Sequence, residues 1–458
     1  MNPSANILHV SRVTPSTSDS SDSLTLPLTF FDLHWFKLHP VERVIFYRIT
    51  DATRAFFDSV LVPNLKTSLS STLSHYLPLA GKLVWDPLDE NPSIVYSPND
   101  DVSFTVAESD SDFSRLTDNE PFSATELHPL VPKLQVSDDS ASAVSFQVTL
   151  FPNQGFCIGV SAHHAVLDGK TTTNFLKAWA HTCKQPNHSL PQDLIPSYDR
   201  TVIKGPPGID TLLLNSWHSF SKMLAGGKEP ENPKSLKLLP SPEMDPETVR
   251  FTFELTPEDI QTLRERVIRE SSDSKQLRLS TFVITFSYIF VSLIRARGGD
   301  PNRSVGYKFA VDCRYLIVDP PIPSSYFGNC VSGVARNSLT AATFNGEEGF
   351  LTAARFVSDS VEELDENVAW KIPELLKTYA ATPVGSQDLS VAGSTRFGVY
   401  GLDFGWGRPE KVVIVSIDQG AISMAESRDG SGGVEVGFSL KKQEMDVLID
   451  LLRDGLKN

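Results

Sequence analysis

Apolar residues along this chain recur with two periods, and the switches between them outline its elements before any chemistry is considered. Val60, Leu61, Leu65, Leu69, Leu73, Tyr76 and Leu77 recur every three to four residues until Pro78 stops the pattern, which predicts a helix with one buried face. Strands are predicted at about 93–97, 102–107, 144–151 and 156–162, the last two joined by the turn Pro152-Asn153-Gln154-Gly155. Upstream, the apolar residues between Leu24 and Tyr47 are broken by Pro27 and Pro40, as in a strand flanked by loops, and polar 14–23 is predicted to be a loose loop. A further helix is predicted from about Thr171 to Cys183, ahead of Pro186 and Pro191.

The same grammar returns in the second half. A strand at 248–255 is followed by a helix opening at Thr256-Pro257-Glu258-Asp259 and a long apolar helix at about 280–296. Strands are predicted near 304–313, 331–336, 397–401, 411–417 and 421–426, then a hairpin through Asp429-Gly430 to 434–440 and a terminal helix. Between the halves, 201–246 holds Gly205-Pro206-Pro207-Gly208 and more prolines around a short apolar helix, the composition of a surface crossover. The class is therefore mixed α/β. We expect an N-terminal domain over 1–200, a linker over 201–246 and a C-terminal domain over 247–458, similarly built and meeting at a cleft.

Composition narrows the setting. At 458 residues the chain is long for one core, and 40% hydrophobic with 21% charged residues is ordinary for a soluble protein. No 18-residue apolar run occurs and 1–13 lacks the regions of a secretory signal, so neither a membrane span nor export is expected and the cytosol is the expected compartment. Cys157, Cys183, Cys313 and Cys330 have no C-x-x-C spacing, which fits reduced thiols and no bound metal. A net charge of −15 with no Lys/Arg cluster argues against a nucleic-acid partner.

The chemistry concentrates at His163-His164-Ala165-Val166-Leu167-Asp168-Gly169, where the strand predicted at 156–162 ends. A neutral imidazole can accept a proton from an attacking hydroxyl if a neighbour fixes its orientation. On extended backbone His163 and His164 point opposite ways, and His164, four before Asp168, is the better base, with His163 a structural histidine. Gly169-Lys170-Thr171 lacks the leading glycine of a phosphate loop, Gly405-x-Gly407 lacks the third glycine of a dinucleotide fingerprint, and no G-x-S-x-G or H-E-x-x-H occurs. Asp403-Phe404-Gly405-Trp406-Gly407 reads as a structural turn whose aspartate pairs with a cation. Arg314 is a possible partner for Asp168 and Arg396 a possible cleft residue, a surface position being the alternative for both.

H-x-x-x-D and Asp403–Gly407, at their separation, resemble the signatures of the BAHD acyltransferases, plant enzymes that move an acyl group from coenzyme A to a hydroxyl or amine. Tyr326-Phe327-Gly328-Asn329-Cys330 resembles a motif of the clade that acylates anthocyanins and other phenolic glycosides, and Asp388–Ser394 suits its malonyl-transferring members. Nearly the whole chain takes part in the likeness. It implies two chloramphenicol-acetyltransferase-like domains around a solvent channel, with His164 as base, Asp168 orienting, and Asp403–Gly407 holding the fold. It further implies coenzyme A contact at Ser280 and Thr281, where helix capping is the equal alternative, and acceptor-sugar contact at Asp32.

Hydroxycinnamoyl-transferring relatives carry tryptophan where Ser394 stands, so a short donor is favoured. The expected reaction moves malonyl from malonyl-CoA, a co-substrate rather than a resident cofactor, to a sugar hydroxyl of a phenolic glucoside. Asn329, Ser394 and Thr395 are open candidates for oxyanion donors, and Arg200 or Arg396 for the malonyl carboxylate. Acetyl-CoA or hydroxycinnamoyl-CoA as donor is the alternative within the family, and a non-catalytic phenolic-glycoside-binding protein the alternative outside it. A monomer acting on small molecules is expected.

Overall fold

The hairpin predicted at 144–162 forms as Val144–Phe151 and Gly155–Ala162, and all residues of both strands are buried. Their apolar runs are continuous because both faces are covered. On one face lies the core around Phe146, Phe175 and Trp179, and on the other a smaller cluster of Val44, Phe46, Phe113, Phe151 and Cys157. The computed structural model of the protein describes residues 5–16, 23–50, 52–240, 244–271, 277–418 and 420–457. Most of the loop predicted at 14–23 lies outside these.

Six strands build the first sheet in the order Ala5–Val13, Val102–Ser109, Val144–Phe151, Gly155–Ala162, Val41–Arg48 and Lys411–Ile414. The second has seven, in the order Val331–Thr340, Ser304–Asp312, Gln387–Gly393, Ala421–Glu426, Val434–Lys441, Thr248–Leu255 and Phe122–Ser123. A four-stranded sheet of Leu24–Pro27, Ser93–Tyr96, Lys82–Val84 and Ser140–Ser142 lies beside the first. Each large sheet thus takes a strand from the other half of the chain. Val412 and Val413 register against Ile45 and Val44, and Phe122 and Ser123 against Arg250 and Val249. Buried Arg250 ties the exchange together by donating to the carbonyls of Ile414 at 2.9 Å and Ile417 at 3.0 Å.

The second core surrounds helix Thr281–Arg297, in which all of 283–294 is buried, and the stretch is mostly apolar with no charged residue, as a central element requires. Helix Gly169–Lys184 packs on the first sheet through Phe175, Leu176 and Trp179.

Several elements differ from the sequence-based expectation. The strand expected at 397–401 is a 3-10 turn, Val399–Gly401, entered through Gly398 at φ 67°, and the strand of that region is Gln387–Gly393. Helices Gly349–Glu362 and Ile372–Ala380 and edge strand Ala5–Val13 were not anticipated. The crossover's short helix runs for 16 residues, Ile209–Leu224.

Candidate active site

Strand Gly155–Ala162 ends just before His163, and the two adjacent histidines part at the turn that follows, where the Val166 N–H donates to the His163 carbonyl at 2.9 Å. His163 turns into the core, fully buried, with its Nδ1 accepting from the Ala165 N–H at 3.2 Å. His164 stays partly accessible, and its ring lies parallel to the indole of Trp35, centroids 4.3 Å apart and planes 6° from parallel. Its Nδ1 is buried with no hydrogen-bond partner beyond its own residue's backbone, which leaves Nε2 as the nitrogen a substrate can reach. Burial holds the His164 pKa down at about 4, against the opposing pull of its own backbone and Asp168, so the ring is neutral at pH 7. Half-buried His34 is lowered to about 4 and His163 to about 3, again chiefly by desolvation and then by the neighbouring His164.

Asp168 does not turn toward the imidazole. It caps helix Gly169–Lys184, Oδ1 accepting from the Thr171 N–H at 2.7 Å, while Oδ2 accepts from Arg314 Nη1 at 2.8 Å and the Cys330 N–H at 3.0 Å. Burial alone would raise its pKa, but the Arg314 guanidinium and the two N–H donors outweigh that and keep the carboxyl below its ordinary value. Arg314 is no surface charge: its side chain is wholly buried, and it also donates to Asp312, Thr171 Oγ1 and the carbonyls of Tyr326 and Gly328. Asp168 therefore joins two distant segments, the turn after His164 and the Tyr326–Cys330 motif.

Asn329 of that motif reaches the histidine. Its Nδ2 donates to the His164 carbonyl at 2.9 Å and to Asp32 Oδ1 at 3.1 Å, and Asp32 Oδ1 also accepts from the Asn329 N–H at 2.8 Å. Asp32 is fully buried, and its other oxygen accepts from the N–H and hydroxyl of Thr29. Its contacts are thus with the protein framework. Arg200 lies 3.9 Å from Asp32 and donates to the Tyr326 hydroxyl and to the Phe327 carbonyl. Gly328 is required here, since its φ is 120° and a Cβ would stand 2.5 Å from Arg200 Nη1.

The loop after strand Gln387–Gly393 approaches from the C-terminal half. Phe397 packs on Gly169 so closely that a Cβ there would meet its ring at 2.7 Å, which brings the loop bearing Ser394 and Thr395 to the turn that carries Asp168. Ser394 Oγ accepts from the Arg396 N–H at 3.2 Å, and the Arg396 side chain is exposed. Ser280 caps helix Thr281–Arg297 by accepting from the Val283 N–H at 3.3 Å, and Thr281 opens that helix.

The Asp403–Gly407 block stands apart from His164. Asp403 accepts from the N–H groups of Gly405 and Gly407 and from Lys184, the last residue of the 16-residue helix that Asp168 caps, which puts it about 24 Å down the helix axis. Phe404 packs edge-on against Tyr47 and Trp179, and Trp406 against Phe156. Asp403→Ala is expected to cost about 1 kcal/mol of stability by removing its bonds to two exposed N–H donors and the lysine, with kcat unchanged in what remains folded. Thermal unfolding beside a turnover assay checks this, and a fall in kcat at unchanged melting temperature would contradict it.

Sequence reasoning placed His164, Asp168 and Arg314 in one site, and the structure brings them to it with Asp32, Asn329 and the Ser394 loop. It missed Trp35, whose only local signal was membership of an aromatic-rich segment. Among the described residues no group of three or more His, Cys, Asp or Glu is placed to hold a metal, and no helix is long and apolar enough to cross a membrane.

A model of the Transferase family matches residues 5–451. Phenolic glucoside malonyltransferase 1 of Arabidopsis thaliana is 73% identical, over all of this chain and 99% of that protein. The chain belongs to the BAHD acyltransferase family. This BAHD acyltransferase is also 51% identical to malonyl-CoA:anthocyanidin 5-O-glucoside-6''-O-malonyltransferase of Arabidopsis thaliana, over all of its length and 99% of the relative. Among solved structures it matches vinorine synthase with a TM-score of 0.70 at 21% identity, covering 98% of each chain, which establishes the chloramphenicol-acetyltransferase-like two-domain fold. It is accordingly an acyltransferase acting on small molecules with coenzyme A thioesters as donors.

Proposed function

We propose that this enzyme transfers malonyl from malonyl-CoA directly to a sugar hydroxyl of a phenolic glucoside, with His164 as general base. The state of His164 supports the base assignment: its ring is neutral and partly accessible, and its carbonyl is held by Asn329. Both substrates are bound together, malonyl-CoA from one side of the interdomain channel and the glucoside from the other. The hydroxyl is too weak an acid to ionise freely, so Nε2 removes its proton as the oxygen attacks the thioester carbon. The same proton then goes to the departing thiolate.

Asp168 acts at a distance, fixing the turn after His164 through Arg314, and the Ser394 loop closes over the acyl group. The malonyl assignment is favoured by the 73% identity to a phenolic glucoside malonyltransferase and by Ser394, which offers no ring to stack on a bulkier hydroxycinnamoyl group. We further assign the enzyme to the cytosol as a monomer.

Three of the four cysteines are buried, and burial raises the thiol pKa of Cys157 and Cys313 to about 12, so neither offers a thiolate nucleophile. Direct transfer therefore predicts no acyl-enzyme. Intact-protein mass spectrometry after incubation with malonyl-CoA alone is expected to show the unmodified chain, and a malonyl adduct that forms and discharges to added glucoside would overturn the mechanism.

A further inference from the structure

What holds the His164 imidazole in place is left open by its polar neighbours. Beyond its own residue's backbone Nδ1 has no hydrogen-bond partner, and both oxygens of Asp168 are taken by Arg314, Thr171 and Cys330. The close contact the ring does make is with Trp35, stacked at 4.3 Å and 6°. The stack is itself braced. Trp35 follows the helical turn Phe30–Leu33, its N–H donates to the Asp32 carbonyl at 3.1 Å, and the Asp32 side chain binds Asn329, which binds the His164 carbonyl. The backbones on either side of the ring pair are thus joined by one buried Asp32–Asn329 link.

We infer that Trp35 is the positioning residue of His164: its indole face fixes the plane of the imidazole and stabilises the imidazolium that exists during transfer. This rests on the reading of His164 as base. When Nε2 takes the hydroxyl proton, the O–H electron pair becomes the new C–O bond, and the ring is cationic until the C–S bond breaks and the thiolate takes the proton. An indole face about 4 Å away is where an aromatic ring attracts such a cation, and it does so without a counter-charge that would hold the proton back. A flat contact also restricts ring rotation about the Cβ–Cγ bond, where no other side chain is hydrogen-bonded to Nδ1.

The test compares Trp35→Phe, which keeps an aromatic face, with Trp35→Leu, which removes it, alongside His164→Ala. Transfer is measured with the acyl-CoA the wild type uses best, and thioester hydrolysis is measured without acceptor. Since small misplacements of a reacting group cost up to about 100-fold, Trp35→Leu is expected to lower kcat about 10- to 100-fold in both reactions at nearly unchanged KM for the acyl-CoA, with Trp35→Phe within about threefold of wild type. Should Trp35→Leu fail to fold, Trp35→Met against Trp35→Tyr gives the same contrast of chain against ring. Wild-type kcat in the Leu or Met variant, or a loss confined to KM for the acceptor, overturns the inference while His164→Ala remains inactive. Full activity in His164→Ala overturns the base assignment and this inference with it.

Discussion

Arg314→Met is expected to lower stability by about 3–5 kcal/mol and to take transfer down with it, because removing one partner of a buried ion pair leaves the other charged and dry. The Asp168–Arg314 pair is 2.8 Å long, with side-chain exposures of 2% and 0%. Methionine would leave Asp168 without its counter-charge and the carbonyls of Tyr326 and Gly328 without the guanidinium donor, so fewer bonds would hold the turn after His164 to the Tyr326–Cys330 motif. Chemical denaturation of the two proteins, followed by circular dichroism, measures the difference. The pH dependence has a definite sign. Asp168 has a depressed pKa in the fold, so its contribution is present above the ordinary carboxylate pKa and is lost as pH falls through the folded value. Lowering the pH should therefore erode the wild type's advantage over Arg314→Met, and an unchanged unfolding midpoint at neutral pH would contradict the account.

His164→Ala is expected to reduce kcat by at least about 10²-fold, the lower end of what a positioned general base contributes. Its fold should survive, since no side-chain hydrogen bond of His164 is lost and the Asn329 bond goes to its backbone carbonyl. The acid limb of kcat/KM in the wild type should lie near pH 4, well below an ordinary histidine, because desolvation holds His164 at about 4 and protonation removes the base. Stability obeys the same sign. His34, His163 and His164 bind protons in the unfolded chain from about pH 6.5 downward but resist them in the fold until about 4, 3 and 4, so acidification through that window destabilises the protein. Rate against pH for the two proteins checks the assignment, and a wild-type acid limb near 6.5 would point to an exposed histidine elsewhere.

Legibility in the sequence followed locality. The hairpin at 144–162 and the helix after it were readable because continuous burial and a tight turn leave a dense apolar signal in a few residues. His164 and Asp168 were readable because they stand only four positions apart in one short segment. The exchange of 411–414 and 122–123 between the two large sheets was not, since pairing between segments so far apart in the chain leaves no mark on either strand's own pattern. Strand Gln387–Gly393 was obscured by its partly exposed, polar-alternating residues, and helix Ile372–Ala380 by its shortness and Pro373. Edge strand Ala5–Val13 leaves Ile7 and Val10 exposed, which inverts the expected link between apolar residues and burial. Asp168's engagement by Arg314, Thr171 and Cys330, rather than by the imidazole, and the Trp35 stack depend on side-chain direction, which spacing alone does not specify.

The most direct measurement is a mass-spectrometric transfer assay in which purified wild type and His164→Ala are each offered malonyl-, acetyl- and coumaroyl-CoA in competition, with one phenolic glucoside as acceptor. The expected result is a malonylated glucoside as the dominant product of the wild type and at least about 100-fold less of it from the variant. Dominant acetyl or coumaroyl product would contradict the donor assignment, and equal product from His164→Ala would contradict the chemistry.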